Sequence, residues 1–168
     1  MQPVLQARMP HRSPVHDRRY LRPGGRRSVR TGAIVDLNLD TRQKIITLDH
    51  ARELAVEAHR SGAPPAAFVT HLEVLRAGVI ERLQDLASAS APGNLFVIIT
   101  DPESPLVPMD ARAELAAALR VVDYVIPCAD GAASALAAIN PGFTFHDEEE
   151  DKVRTRELIE HVRSRSRI

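Results

Sequence analysis

The chain has 168 residues, 44% of them hydrophobic and 26% charged, which suits one domain whose core needs neither disulfides nor a metal. The formal net charge is zero, but the first thirty residues hold eight Arg and one Asp, leaving fourteen basic and twenty-one acidic residues in the rest. The single cysteine, Cys128, excludes an intramolecular disulfide and suits a reducing, cytoplasmic setting, and no apolar run approaches the roughly 20 residues of a membrane span.

Residues 1–31 contain four prolines, Gly24-Gly25 and scattered arginines without an apolar period, and they predict a disordered basic tail ahead of a domain over 32–168. Clustered arginine approaches nucleic-acid phosphates. Tyr20 is the only aromatic there, so base stacking lacks support, and a solvated tail or an over-extended translation start is the simpler reading. Nucleic acid is therefore not an expected partner. The stretch also lacks the apolar core of a secretory signal.

Ala51, Leu54, Ala55 and Ala58 recur at helical spacing and predict a helix over 49–60, stopped by Gly62 and Pro64-Pro65. The short apolar run 66–71 reads as a buried parallel strand, and Val79, Leu83 and Leu86 define one face of a helix over 79–89. Residues 95–99, Leu-Phe-Val-Ile-Ile, form the clearest strand, continuous enough to be covered on both faces. Asp110 is placed to cap a helix over 111–120, and 124–127 reads as a strand closed by Pro127. A short Ala-rich helix over 131–139 and an edge or fourth strand over 143–146 follow. The acidic run 147–151 lacks a loop with ligand spacing and reads as a solvated stretch, with no metal site. A final helix over 152–163 takes Val153, Leu158, Ile159 and Val162 as its inner residues. The β-α alternation predicts an α/β fold with a parallel sheet and right-handed crossovers.

The stretch Thr70-His71-Leu72-Glu73-Val74-Leu75-Arg76-Ala77-Gly78-Val79 resembles the G-x-F-D-x-x-H-x-G-H signature of cytidylyltransferase-like nucleotidyltransferases, in particular the nucleotidylyltransferase domain of bacterial ADP-heptose synthase. Gly78 is kept, Glu73 stands for the aspartate, and Arg76 and Val79 occupy the two histidine positions. The similarity extends over roughly 110 residues. Lys44 to Asp49 resembles the family's lead-in, and Leu95 to Asp101 its second strand with the terminal Asp. Residues 112–125 resemble its R-x-x-x-L-x-x-L-x-x-V-D-x-V helix and strand.

The resemblance implies a three-layer, Rossmann-like nucleotidyltransferase fold that transfers AMP or CMP from a nucleoside triphosphate to a sugar phosphate. It also implies Mg²⁺ where the enzyme is active, and homodimers as a common assembly. Its candidate nucleotide contacts here are Thr70, His71, Arg76, Gly78, Asp101, Arg112 and Thr155. Arg76 can offer a cationic fork to phosphate, whereas Val79 offers no donor. Thr70 adds a Cβ where the family has glycine. The family's lysine-glycine after the fourth strand is missing here, and the acidic run repels a triphosphate. Of the helix-opening Ser/Thr-Thr pair only Thr155 is left, with Arg154 and Arg156 as substitutes for phosphate contact. Arg112 is placed at a phosphate, in docking a loop or, more simply, as a surface charge, Asp101 at a ligand or a turn, and His71 at a strand end. These losses point to weak or absent catalysis, with nucleotide or sugar-nucleotide binding by a scaffold for a cell-envelope biosynthetic enzyme as the alternative. No P-loop, G-x-G-x-x-G, nucleophile elbow or paired-cysteine site is present.

Overall fold

Four short apolar runs, each bounded by turn residues, become the four strands of one parallel sheet in the order β3-β2-β1-β4. The computed structural model describes residues 40–90 and 94–166; the basic tail expected over 1–31 lies outside them. The strands are β1 (Ala66–Thr70), β2 (Leu95–Thr100), β3 (Tyr124–Cys128) and β4 (Phe143–His146). The helices are α1 (Leu48–Arg60), α2 (Ala77–Ala89), α3 (Met109–Ala118), α4 (Ala133–Ile139) and α5 (Glu148–Arg165).

Every residue of β1 and β2 is buried because helices cover both faces of the sheet. Side chains alternate across the pleat. Phe68, Leu95, Val97 and Ile99 pack against Val79, Leu83 and Leu86 of α2 and Ala113, Ala116 and Ala117 of α3. Ala67, Val69, Phe96 and Ile98 pack on the other face against Ala51 and Ala55 of α1 and Ala135 and Ile139 of α4. Fully burying each such Leu, Ile or Phe contributes about 1.5–3 kcal/mol. The result is a three-layer, Rossmann-like α/β fold.

Most boundaries follow local chemistry. Thr47 caps α1 by accepting from the His50 amide at 3.3 Å, and Gly62, at φ +76°, lets the chain leave that helix. Asn140 ends α4 in the left-handed region. Three expectations are corrected. Asp110 lies inside the first turn of α3 and Pro108 is the N-cap residue, so the carboxylate acts on the helix dipole rather than as a cap. Pro127 falls within β3, paired with Ile99, because β3 is an edge strand that tolerates a missing N–H.

The third correction is the largest. The acidic run opens α5, and Asp147 and Asp151 are fully buried, whereas Val153, Leu158 and Val162 are exposed by 49%, 40% and 53%. The face that α5 turns inward over its first turns is polar. Of the four expected inner residues only Ile159 is half-buried, in a cleft at the strand ends, so apolar periodicity mostly picks the wrong stripe.

Beyond α3, Lys44 donates to the carbonyl oxygens of Leu119 (3.0 Å) and Val122 (2.7 Å), and Ile45 makes a parallel bridge to Val125. The segment before α1 thus ties the β3 edge to the end of α3. No helix among the described residues is long and apolar enough to cross a membrane.

Candidate functional site

β2 and β3 lie successively to one side of β1, and β4 returns to its other side, so the strand order reverses at β1. Open α/β sheets hold ligands outside the carboxyl ends of their strands at such a reversal. Here the strand ends carry Thr70, Thr100 and His146, followed by a tight loop, a longer loop and α5. A cleft of about 380 Å³ opens between these elements, lined by His71 and Glu73 after β1, Pro102 to Ser104 after β2, and Asp151, Lys152, Thr155, Arg156 and Ile159 of α5.

The loop after β1 is held in an unusual shape. Leu72 has φ +54°, a region costly to residues with a Cβ, yet its side chain is buried in the core. Thr70 Oγ1 secures it by accepting from the Leu72 amide at 3.0 Å.

Two buried ionic clusters form the walls. In the first, Arg112 is fully buried and donates from Nε to Val107 O (2.9 Å), from Nη1 to His71 O (2.7 Å) and Thr100 O (2.8 Å), and from Nη2 to Asp101. Glu73 Oε1 stands 3.7 Å from Arg112 Nε, and the same carboxylate accepts from the amides of Leu106 (2.8 Å) and Val107 (3.3 Å). One guanidinium thereby fastens both strand-end loops.

In the second, Asp147 accepts from Arg154, from Arg82 Nη1 (2.8 Å) and from Thr70 Oγ1 (3.4 Å). Asp151 accepts from Arg154 Nη2 (3.1 Å) and the Glu73 amide (2.9 Å). Burial works against the Arg154 charge, but the hydrogen bonds and attraction of Asp147, then Asp151, raise its pKa above the ordinary value. Arg82 also lies over the Phe145 ring, 5.2 Å from its centre, so α2 is tied to β4 as well as to α5.

The candidate residues separate accordingly. His71 and Thr155 line the cleft, and Thr70 is buried beneath it. Asp101 and Arg112 bond each other in the wall, Arg112 docking loops with no exposed surface. Arg76 and Gly78 are outside the lining, at the exposed start of α2, where Arg76 pairs with Glu157 at 3.1 Å. Val79 is 2% exposed in the core against β1 and β2. Arg156 lines the cleft without an ion pair among the described residues, whereas Arg154 is committed to Asp147 and Asp151.

Sequence reasoning missed Arg82, Asp147 and Asp151. Their partners lie up to 78 residues away, and no spacing signals such pairs. Burial and then Asp130 push the Cys128 thiol pKa up, away from the thiolate that a nucleophile uses. Among the described residues no group of three or more His, Cys, Asp or Glu is placed to hold a metal ion.

The cleft also contains unmet hydrogen-bonding capacity. His71 Nε2 and Thr155 Oγ1 are shielded from solvent and have no partner among the described residues. Each such group costs about 1–3 kcal/mol where it stays unpaired.

Gly78 gives a direct check on whether the fold itself needs glycine. Its φ is not in the left-handed region, and a Cβ there would meet nothing within 4 Å. Gly78→Ala is therefore expected to leave stability unchanged or raise it by about 0.5 kcal/mol, as read from the urea midpoint. A clear loss would reveal crowding around α2 that this geometry lacks.

In comparisons with known proteins, no family model matches the chain and no curated protein gives a significant match. The class that the architecture defines is a Rossmann-like α/β domain with a four-stranded parallel sheet.

Proposed function

We propose that the protein is a nucleotidyltransferase-like domain of the ADP-heptose synthase type that binds a nucleotide or sugar nucleotide and transfers nucleotidyl groups weakly or not at all. The observation that carries the binding part is the strand-end cleft with two buried, unpaired polar atoms, His71 Nε2 and Thr155 Oγ1. A pocket of this size at a reversal of strand order suits a small-molecule ligand.

The loss of chemistry rests on the signature stretch. Nucleotidyl transfer depends on donors that meet the developing charge at phosphorus, each worth about 10²- to 10³-fold in related oxyanion sites. At the two positions aligned with histidines, Val79 is core and Arg76 is held by Glu157 outside the cleft lining. The residues do not fit a protein-held Mg²⁺ either. Asp151 and Glu73 already accept from Arg154 and from backbone amides, so any Mg²⁺ would arrive with a triphosphate.

The expected result is thermal stabilisation by at least one of ATP, CTP and ADP-heptose, with and without Mg²⁺, and no pyrophosphate release from heptose phosphate plus triphosphate. At 100 times its dissociation constant, a ligand stabilises by about 2.7 kcal/mol, well above the error of a melting curve. Turnover that vanishes in Arg76→Ala would restore the active-transferase reading. No stabilisation by any of the three would remove the binding reading.

A further inference from the structure

We propose that His71 reads the ligand of this cleft, presenting its Nε2 lone pair to a hydroxyl group that Thr155 engages from the other side. This rests on the cleft being a ligand site, as proposed above.

The ring's orientation is fixed from behind. His71 Nδ1 is 3.1 Å from Thr100 O and 3.0 Å from Thr100 Oγ1. A carbonyl oxygen only accepts, so the contact with Thr100 O is a hydrogen bond when Nδ1 carries the proton, and we assign it there. Thr100 Oγ1 can accept from the same N–H because its own proton has Thr70 O as a target at 3.5 Å. Nε2 is left as an acceptor, with no partner among the described residues. The residue is 6% exposed and Nε2 itself is closed to solvent, so a ligand hydroxyl reaches it through the cleft only as the exposed side chains of Glu103, Ser104, Lys152 and Arg156 give way.

Thr155 Oγ1, on α5, is the second unpaired atom of the same cleft. It can donate as well as accept. A ligand hydroxyl matches both at once, donating to His71 Nε2 and accepting from Thr155. A proton-free oxyanion, such as a phosphodiester or sulfate, matches only the threonine, because it has no proton for Nε2. The deep end of the cleft therefore selects the hydroxylated part of the ligand. Arg156 at the rim is the cation left for an anionic part, since Lys152 is paired with Glu149 at 2.6 Å.

Nitrogen-15 NMR of the histidine rings in the full chain reads the tautomer without any ligand. The expected result is a protonated Nδ1 and an unprotonated Nε2; an Nε2–H tautomer overturns the inference whatever binds. If Thr155→Val shifts the Nε2 resonance of the free protein, the two side chains satisfy each other and the inference also falls.

ADP-heptose and ribose 5-phosphate are then titrated beside sulfate, an oxyanion with no proton at neutral pH. Saturation with a hydroxylated probe should shift Nε2 while Nδ1 keeps its proton, and sulfate alone should leave Nε2 unmoved. His71→Phe should weaken that probe's binding by about tenfold or more, the size of one lost hydrogen bond, and His71→Gln should recover part of it through its amide oxygen. A probe that raises the melting temperature yet leaves Nε2 unshifted overturns His71 as the contact and spares the cleft. Failure of both hydroxylated probes to bind, in a protein with the expected tautomer, overturns the ligand-reading role together with the binding function.

Discussion

Asp147→Ala is expected to lower the unfolding free energy by about 3 kcal/mol, the lower end of the cost of breaking a buried ion pair. Asp147 is fully buried, and both its oxygens are engaged by Arg82, Arg154 and Thr70. Removing it leaves Arg154, whose side chain is 13% exposed, with only Asp151 as an anionic partner. Arg82 is 42% exposed and can turn to water, which keeps the loss below the top of the range. Domains of this size are stable by roughly 5–15 kcal/mol, so such a loss is a large fraction of the whole. In urea it moves the midpoint by about 1–3 M, given slopes of 1–3 kcal/mol/M. Asp147→Asn keeps the shape and one accepting oxygen and should lose about half as much. Added formate should raise the melting temperature of the alanine variant more than that of the wild type by refilling the anion position. A midpoint change under 0.3 M for Asp147→Ala would show that the acidic residue is solvated after all, as its sequence context suggests.

Arg112→Met should cost at least as much, about 3–5 kcal/mol, and should loosen the loops after β1 and β2 together. The guanidinium has no exposure and bonds three carbonyl oxygens and Asp101, with Glu73 beside it. An apolar side chain of similar length fills the volume but leaves His71 O, Val107 O and the two carboxylates without their cation. Arg112→Lys should rescue little, because three donors on one nitrogen cannot span partners that a planar fork reaches from three nitrogens. The checks are a urea curve and hydrogen exchange of the amides of Leu106 and Val107, which Glu73 holds. If the lysine variant is within 0.5 kcal/mol of wild type, or exchange at those amides is unchanged, Arg112 does not organise the loops.

The two effects bear on the cleft differently. Arg112 fixes the backbone that carries His71, whereas Asp147 fixes the first turns of α5 that carry Thr155 and Arg156. Under the proposed binding function, ligand affinity should fall in both variants even at temperatures where they stay folded, because the opposing walls are held separately.

The sequence by itself determined the layered architecture. Residues 95–99 are apolar without interruption, which only a sheet covered on both faces accommodates, and the helices around them carry their apolar residues at a 3.6-residue spacing. Gly62 marks the end of α1 through a conformation set within a few residues, so that end was legible, whereas Thr47 and Asn140 were not singled out in the sequence. Tertiary structure alone decided which charges are inside. Asp147, Asp151, Arg112 and Arg154 look like surface residues in any local window, and local windows measure hydrophobicity rather than partnership. Burial of a charge depends on an opposite charge or a carbonyl brought near by the fold, as with Arg112 and His71, 41 residues apart, or Glu73 and Asp151, 78 apart. The same reason reversed the reading of α5. Its apolar residues lost the inward face to a polar set whose value exists only beside Arg82, Thr70 and the Glu73 amide. His71 belongs to this second kind: the chain shows a histidine at a strand end, and only the position of Thr100 on the neighbouring strand shows that Nδ1 is engaged while Nε2 has no partner among the described residues.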